Sequence, residues 1–104
     1  MPTLKSHRLV RADFQSAYGW HEEKCPGLGL QFAAEFRRSV QKIREDPLLC
    51  SIRFSGIRRL NLDRFPYGVF YFVTPGEVRI LAVLHGSRET KGMLAARRRT
   101  FSQS

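Results

Sequence analysis

The sequence has little cysteine, no long apolar stretch and half as many acidic as basic side chains. Its two cysteines, Cys25 and Cys50, stand in no CxxC or Cys/His spacing. A disulfide framework and a zinc site are therefore not expected, and both thiols read as reduced and structural, with no metal or cofactor implied. No apolar run exceeds five residues, as in Val69 to Val73, against the roughly 20 needed to cross a bilayer. The opening MPTLKSHRLVRA has no signal-peptide core. The expectation is a soluble, cytoplasmic protein with no membrane partner. Of the 104 residues, 42% are hydrophobic and 12% aromatic, which excludes a disordered basic tail, and residues 1–104 read as a single domain.

What is abundant is positive charge: 18 Lys+Arg against 9 Asp+Glu, a formal net charge of +9. Residues 1–50 carry 8 basic and 6 acidic side chains, whereas 51–104 carry 10 and 3, so the second half owns the field. Arg outnumbers Lys 14 to 4. The planar guanidinium fork suits bidentate recognition of phosphate or carboxylate better than an ammonium does. A focused basic surface attracts polyanions and acidic protein partners alike.

Residues 8–12 read as a short opening strand, and Asp13 stands where an N-cap would start a helix carrying Phe14, Ala17 and Tyr18 on one side. Cys25-Pro26-Gly27 ends it. From Leu28, the apolar residues Phe32, Phe36, Val40 and Ile43 recur at helical spacing until Asp46-Pro47, so the two segments form a helical hairpin. The period then changes. Ile57 to Leu62 alternates as a half-buried strand that puts Arg59 on the face opposite Leu60 and Leu62. Gly68 to Val73 is apolar on both faces, as a central strand is. Thr74-Pro75-Gly76-Glu77 suggests a type II turn within a loop slightly longer than two residues. Glu77 to His85 is the last strand, with Arg79 and His85 of one parity. Thr90 to Ser104 leaves room for one short helix ending in the solvated run Arg97-Arg98-Arg99.

The order β-α-α-β-β-β, with that optional C-terminal helix, is an α+β fold. It packs the N-terminal helical hairpin on one face of a small antiparallel sheet and leaves the other face partly open. Arg59, Arg79 and His85 are candidates to share a face.

The stretch GIRRLNLDRFPYGVFYFV (Gly56 to Val73), with Phe65-Pro66-Tyr67 inside it, and VRILAVLHGSRE (Val78 to Glu89), with its His-x-x-Arg ending, resemble the RelE/ParE superfamily of toxins from toxin-antitoxin systems. The resemblance covers nearly the whole chain. It implies a plasmid-stabilisation type of toxin, neutralised by a cognate antitoxin whose flexible segment wraps the basic surface. RelE-like members cut messenger RNA on the ribosome, whereas ParE-like members act on DNA gyrase without nuclease chemistry.

Ribonuclease chemistry needs activation of a 2′-hydroxyl, positive charge on the phosphate and a proton donor for the leaving oxygen. The candidates are His85 as acid or base, with Arg59, Arg79 and Arg88 for the charge. Target or phosphate binding would use Arg59, Arg64, Tyr67, Arg79 and Arg88. Nuclease members often add a lysine cluster or a C-terminal tyrosine. Here no lysine lies between Lys42 and Lys91, and the last aromatic is Phe101. The gyrase-directed branch is therefore the leading reading, with the ribosome-dependent endoribonuclease as the alternative and a non-toxic basic nucleic-acid-binding domain as a third. Each candidate also has a plain structural role open to it: His85 bonded to backbone, Tyr67 packed on the helices, Trp20 and Phe14 as core or antitoxin contacts. His7 and His21 show no partner pattern.

Overall fold

The structure, a computed structural model, describes residues 1–86 and 90–101. Its elements in chain order are β1 (Thr3–Ser6), α1 (Val10–Lys24), α2 (Leu28–Glu45), β2 (Ile52–Phe54), β3 (Ile57–Asn61), β4 (Tyr67–Thr74), β5 (Glu77–His85) and α3 (Lys91–Arg99). The strands form one sheet in the order β1-β5-β4-β3-β2, with β1 parallel to β5 and the remaining pairs antiparallel. The α+β class and the helical hairpin stand as expected.

The hairpin turns where Pro26 and Gly27 break the helical pattern, Gly27 taking φ +91°. Glu22 on α1 then caps α2 from outside: its carboxylate accepts the backbone N–H of Gly27 and of Gly29, each at 3.0 Å. The expected apolar stripe of α2 faces the sheet, with Phe32 and Ile43 fully buried and Phe36 and Val40 half-buried. Burial of each such large side chain is worth about 1.5–3 kcal/mol.

The opening strand lies earlier than residues 8–12. Thr3–Ser6 pairs with Glu77–Ile80, and His7 ends the strand by donating its N–H to Ile80 O. Asp13 is not the N-cap either. Leu9 holds that position without a side-chain cap, and the His7 ring covers for it, Nδ1 accepting the Leu9 N–H at 3.1 Å. The β4–β5 loop is no longer than two residues, since Thr74 pairs directly with Glu77. Pro75 supplies the first turn position and Gly76, at φ +75°, the second. β2 joins β3 through Ser55 and Gly56, both at positive φ, as a tight hairpin turn of this hand requires.

The sheet carries a core on each face. The helical hairpin covers Val69, Tyr71, Val78, Ile80 and Val83. The opposite face, expected to stay partly open, is in part closed by α3, where Leu94 and Phe101 pack on Ile57, Phe70, Phe72, Leu81, Ala82 and Leu84.

One irregularity governs the functional geometry. Phe70 pairs with Ala82 and Tyr71 with Ile80, so Leu81 is an extra residue bulged out of β5. Leu81 and Ala82 both lie on the α3 side, and side-chain parity reverses from there on. Arg79 consequently points to the α3 face and His85 to the helical-hairpin face, instead of sharing one.

Candidate functional site

Arg59 and Arg79 lie on the α3 face of the sheet. Arg59 pairs in register with Phe70, lays its guanidinium over that ring at 5.1 Å and donates from Nε to Asn61 Oδ1 at 2.6 Å. It crosses the sheet only because positions 68 and 86 are glycine. A Cβ on Gly68 would collide with Arg59 Nε, and one on Gly86 would stand 2.9 Å from Nη2. Burial, and next the charge of Arg53, pull the Arg59 pKa below its ordinary value, yet a guanidinium keeps its proton at any working pH.

Arg79 is held more tightly. Glu77 accepts from its Nε at 2.8 Å and pairs with Nη2 at 2.6 Å, while Lys5 reaches the same carboxylate at 2.9 Å. The Arg79 guanidinium sits 5.8 Å from the Phe72 ring centre and 5.2 Å from that of Phe101. Hydrogen bonds from Lys5 and Arg79 hold the Glu77 carboxyl below the usual range. α3 adds Arg98, 4.1 Å over Phe72, and Lys91, 5.7 Å over Phe54. Gly56 leaves room for Arg98, whose Nη2 would be 3.4 Å from a Cβ there.

His85 and Tyr67 are register partners on the other face, their rings 5.3 Å apart edge to face. With Ala12, Ser16 and Ala17 of α1 they border a groove of about 280 Å³. Tyr67 also packs on Phe32 and His21 at 5.2 and 5.4 Å, and burial pushes its pKa up, so the phenol stays protonated. His21, which had no partner pattern, is buried: Nδ1–H donates to Ala17 O at 2.7 Å and the ring stacks on Phe32 at 5.2 Å.

Arg64 stands apart from both groups. Its backbone N–H and Nε donate to the buried Glu35 of α2 at 3.0 and 3.2 Å, which fastens the β3–β4 loop to the hairpin. Burial pushes the Glu35 carboxyl up, but the bonds from Arg64 and from the Asp63 backbone together outweigh it and leave the pKa below the ordinary range. Arg88 lies outside the described residues.

The pattern also concealed one feature. Arg97, expected in a solvated tail, is 8% exposed and pairs with Asp13. Leu94, Arg97 and Phe101 recur at helical spacing, which marks position 97 as inward-facing despite its charge. Trp20 is exposed, with Lys24 over its ring at 5.1 Å, and Phe14 packs in the core between Phe32 and Phe36. Among the described residues no group of three or more His, Cys, Asp or Glu is placed to hold a metal ion, and no helix is long and apolar enough to cross a membrane.

Comparison with known proteins gives the family. A search of curated proteins returned no match. Among solved structures, the chain is similar to one described as the chromosomal ParDE TA system from P. aeruginosa, with a TM-score of 0.73 and 22% identity over 82% of this chain and 96% of that one. At that identity the likeness is one of fold. Residues 4–90 match the family described as ParE toxin of type II toxin-antitoxin system, parDE. The chain belongs to the ParE toxin family of type II toxin-antitoxin systems.

Proposed function

We propose that the chain inhibits growth by binding DNA gyrase, without covalent chemistry of its own, and that a cognate antitoxin neutralises it in the cytoplasm, residues 1–104 acting as one toxin domain. The observation that carries this reading is the separation of His85 from Arg79. General acid–base catalysis needs the proton-transfer group within hydrogen-bond reach of the reacting phosphate that the cations hold. The Leu81 bulge turns the two side chains to opposite faces, and they stand six residues apart on β5, roughly 20 Å along a strand. Arg79 is also paired with Glu77, Arg64 gives its Nε to Glu35, and Arg59, though its Nη2 lies against Gly86, is on the α3 face and not on that of His85. A binding toxin needs none of these groups to converge.

The antitoxin reading draws on two surfaces. The +9 charge favours an acidic segment. Leu48 and Leu49, 65% and 51% exposed just before the three-residue edge strand β2, and Ile52, 55% exposed within it, offer apolar anchor points next to unpaired backbone groups.

Purified protein added to translating ribosomes tests the choice of target. Intact messenger RNA is the expected result, and growth inhibition on induction should survive both His85→Ala and Arg79→Ala. Cleavage that disappears in His85→Ala would establish the endoribonuclease alternative instead.

A further inference from the structure

We propose that the sheet face bordered by α3 binds a DNA duplex through its phosphate backbone, an activity separate from the gyrase reading. Four cations from three elements are seated on phenylalanine rings across this one face: Arg59 of β3 on Phe70, Arg79 of β5 on Phe72 and Phe101, and Arg98 and Lys91 of α3 on Phe72 and Phe54. A guanidinium seated over a ring has lost part of its rotamer freedom before any ligand arrives. The Nη atoms of Arg59 and Arg98 can reach a phosphate, whereas Arg79 already commits Nε and Nη2 to Glu77. Arg53 and Arg99, both exposed, extend the basic stripe at its β2 and α3 ends, and Arg98 and Arg99 flank a hollow of about 350 Å³ against Ser55. Glu77 takes up part of the Arg79 charge, so Arg59, Arg98 and Lys91 carry most of the field.

Two observations select the occupant. Phe70, Phe72 and Phe101 are 5%, 3% and 6% exposed beneath their cations, so these three rings leave no face on which an unpaired base could stack, and the half-buried Phe54 lies under Lys91. Single-strand recognition depends on such platforms, whereas a duplex is held by its phosphates alone. Of the strongly exposed apolar side chains, Trp20, Leu30, Leu48 and Leu49 lie on α1, α2 and the loop after α2, and Ile52 of β2 is in register with Arg58, itself opposite Tyr71 of the hairpin-side core. Protein interfaces centre on apolar anchors, while interfaces with DNA are more polar and far more basic. Lys91 and Arg98 also lie beyond residues 4–90, the stretch matched to the family.

The test is binding of the full chain to a short labelled DNA duplex, followed by fluorescence anisotropy over a salt series. Each phosphate contact contributes about −0.9 to the slope of log K against log salt. Three or four contacts therefore predict a slope of about −3 to −4. Replacing Lys91 and Arg98 together by Gln should flatten it by about 2. Replacing Arg37 and Arg38, exposed on α2, removes the same charge and should leave the slope unchanged. If Arg98→Gln disturbs folding, Lys91→Gln with Arg53→Gln repeats the test at exposed positions. Absence of binding at low salt, equal loss in the two pairs, or a single strand bound as tightly as the duplex would each overturn the proposal. None of these outcomes bears on gyrase inhibition, which is read separately.

Discussion

Asp13 and Arg97, 84 residues apart in the chain, meet in a two-pronged ion pair: Arg97 Nη1 to Asp13 Oδ2 at 2.6 Å and Nη2 to Oδ1 at 3.1 Å. The pair also serves the backbone of β5 where β1 no longer covers it. Arg97 Nη1 donates to Leu81 O at 3.0 Å, and Asp13 Oδ2 accepts the Val83 N–H at 3.3 Å. One contact thus ties α1 to α3 and stabilises the bulge that separates His85 from Arg79. Removing one member of a buried pair leaves the other charge uncompensated, at a cost of about 3–5 kcal/mol. Asp13→Ala should lower the urea midpoint accordingly. The double variant Asp13→Ala with Arg97→Met should lose less than the two single losses added together. Additive losses would show the pair to be uncoupled.

Gly68→Ala tests the seat of Arg59. The added methyl would collide with a side chain already fixed over Phe70 and bonded to Asn61. Overpacking of this kind costs about 1–3 kcal/mol. In an Arg59→Ala background the same change should be nearly neutral, which a double-mutant cycle on denaturation midpoints measures.

Acid should weaken the fold through His7. The ring is buried, with Nδ1 accepting the Leu9 N–H and Nε2 facing Thr100 Oγ1 at 3.3 Å. Desolvation, then the charges of Arg97 and Arg8, hold its pKa below 6.5. The folded state therefore resists a proton that the unfolded chain accepts. This contribution is complete above pH 6.5 and is lost as the pH falls below it toward the depressed folded value. Urea midpoints across that range should fall for the parent chain, and the fall attributable to this group should vanish in His7→Gln. Glu35 adds a second, more acidic limb of the same sign, since its folded pKa is also depressed.

The hairpin, the central strands and the parity of Arg59 were legible in the sequence because each rests on local periodicity and turn chemistry. Leu60 and Leu62 turn Arg59 to the opposite face, and the structure keeps it there, above Phe70. The placement of His85 was not legible. Val78 to Leu84 alternates or runs apolar throughout, so nothing local marks Leu81 as the extra residue, and one bulge reverses every side chain beyond it. Arg97 was hidden for a related reason. Charge in a run of three arginines reads as solvated, and only the distant Asp13 makes an inward arginine affordable. β1 escaped because a four-residue edge strand carries little pattern of its own and is held by β5.

Gyrase supercoiling in the presence of purified protein decides whether the chain acts by binding gyrase. Supercoiling of relaxed plasmid should fall as protein is added, the cognate antitoxin should restore it, and His85→Ala and Arg79→Ala should inhibit as the parent does. Undiminished supercoiling at large protein excess, with growth still arrested on induction, would contradict that action.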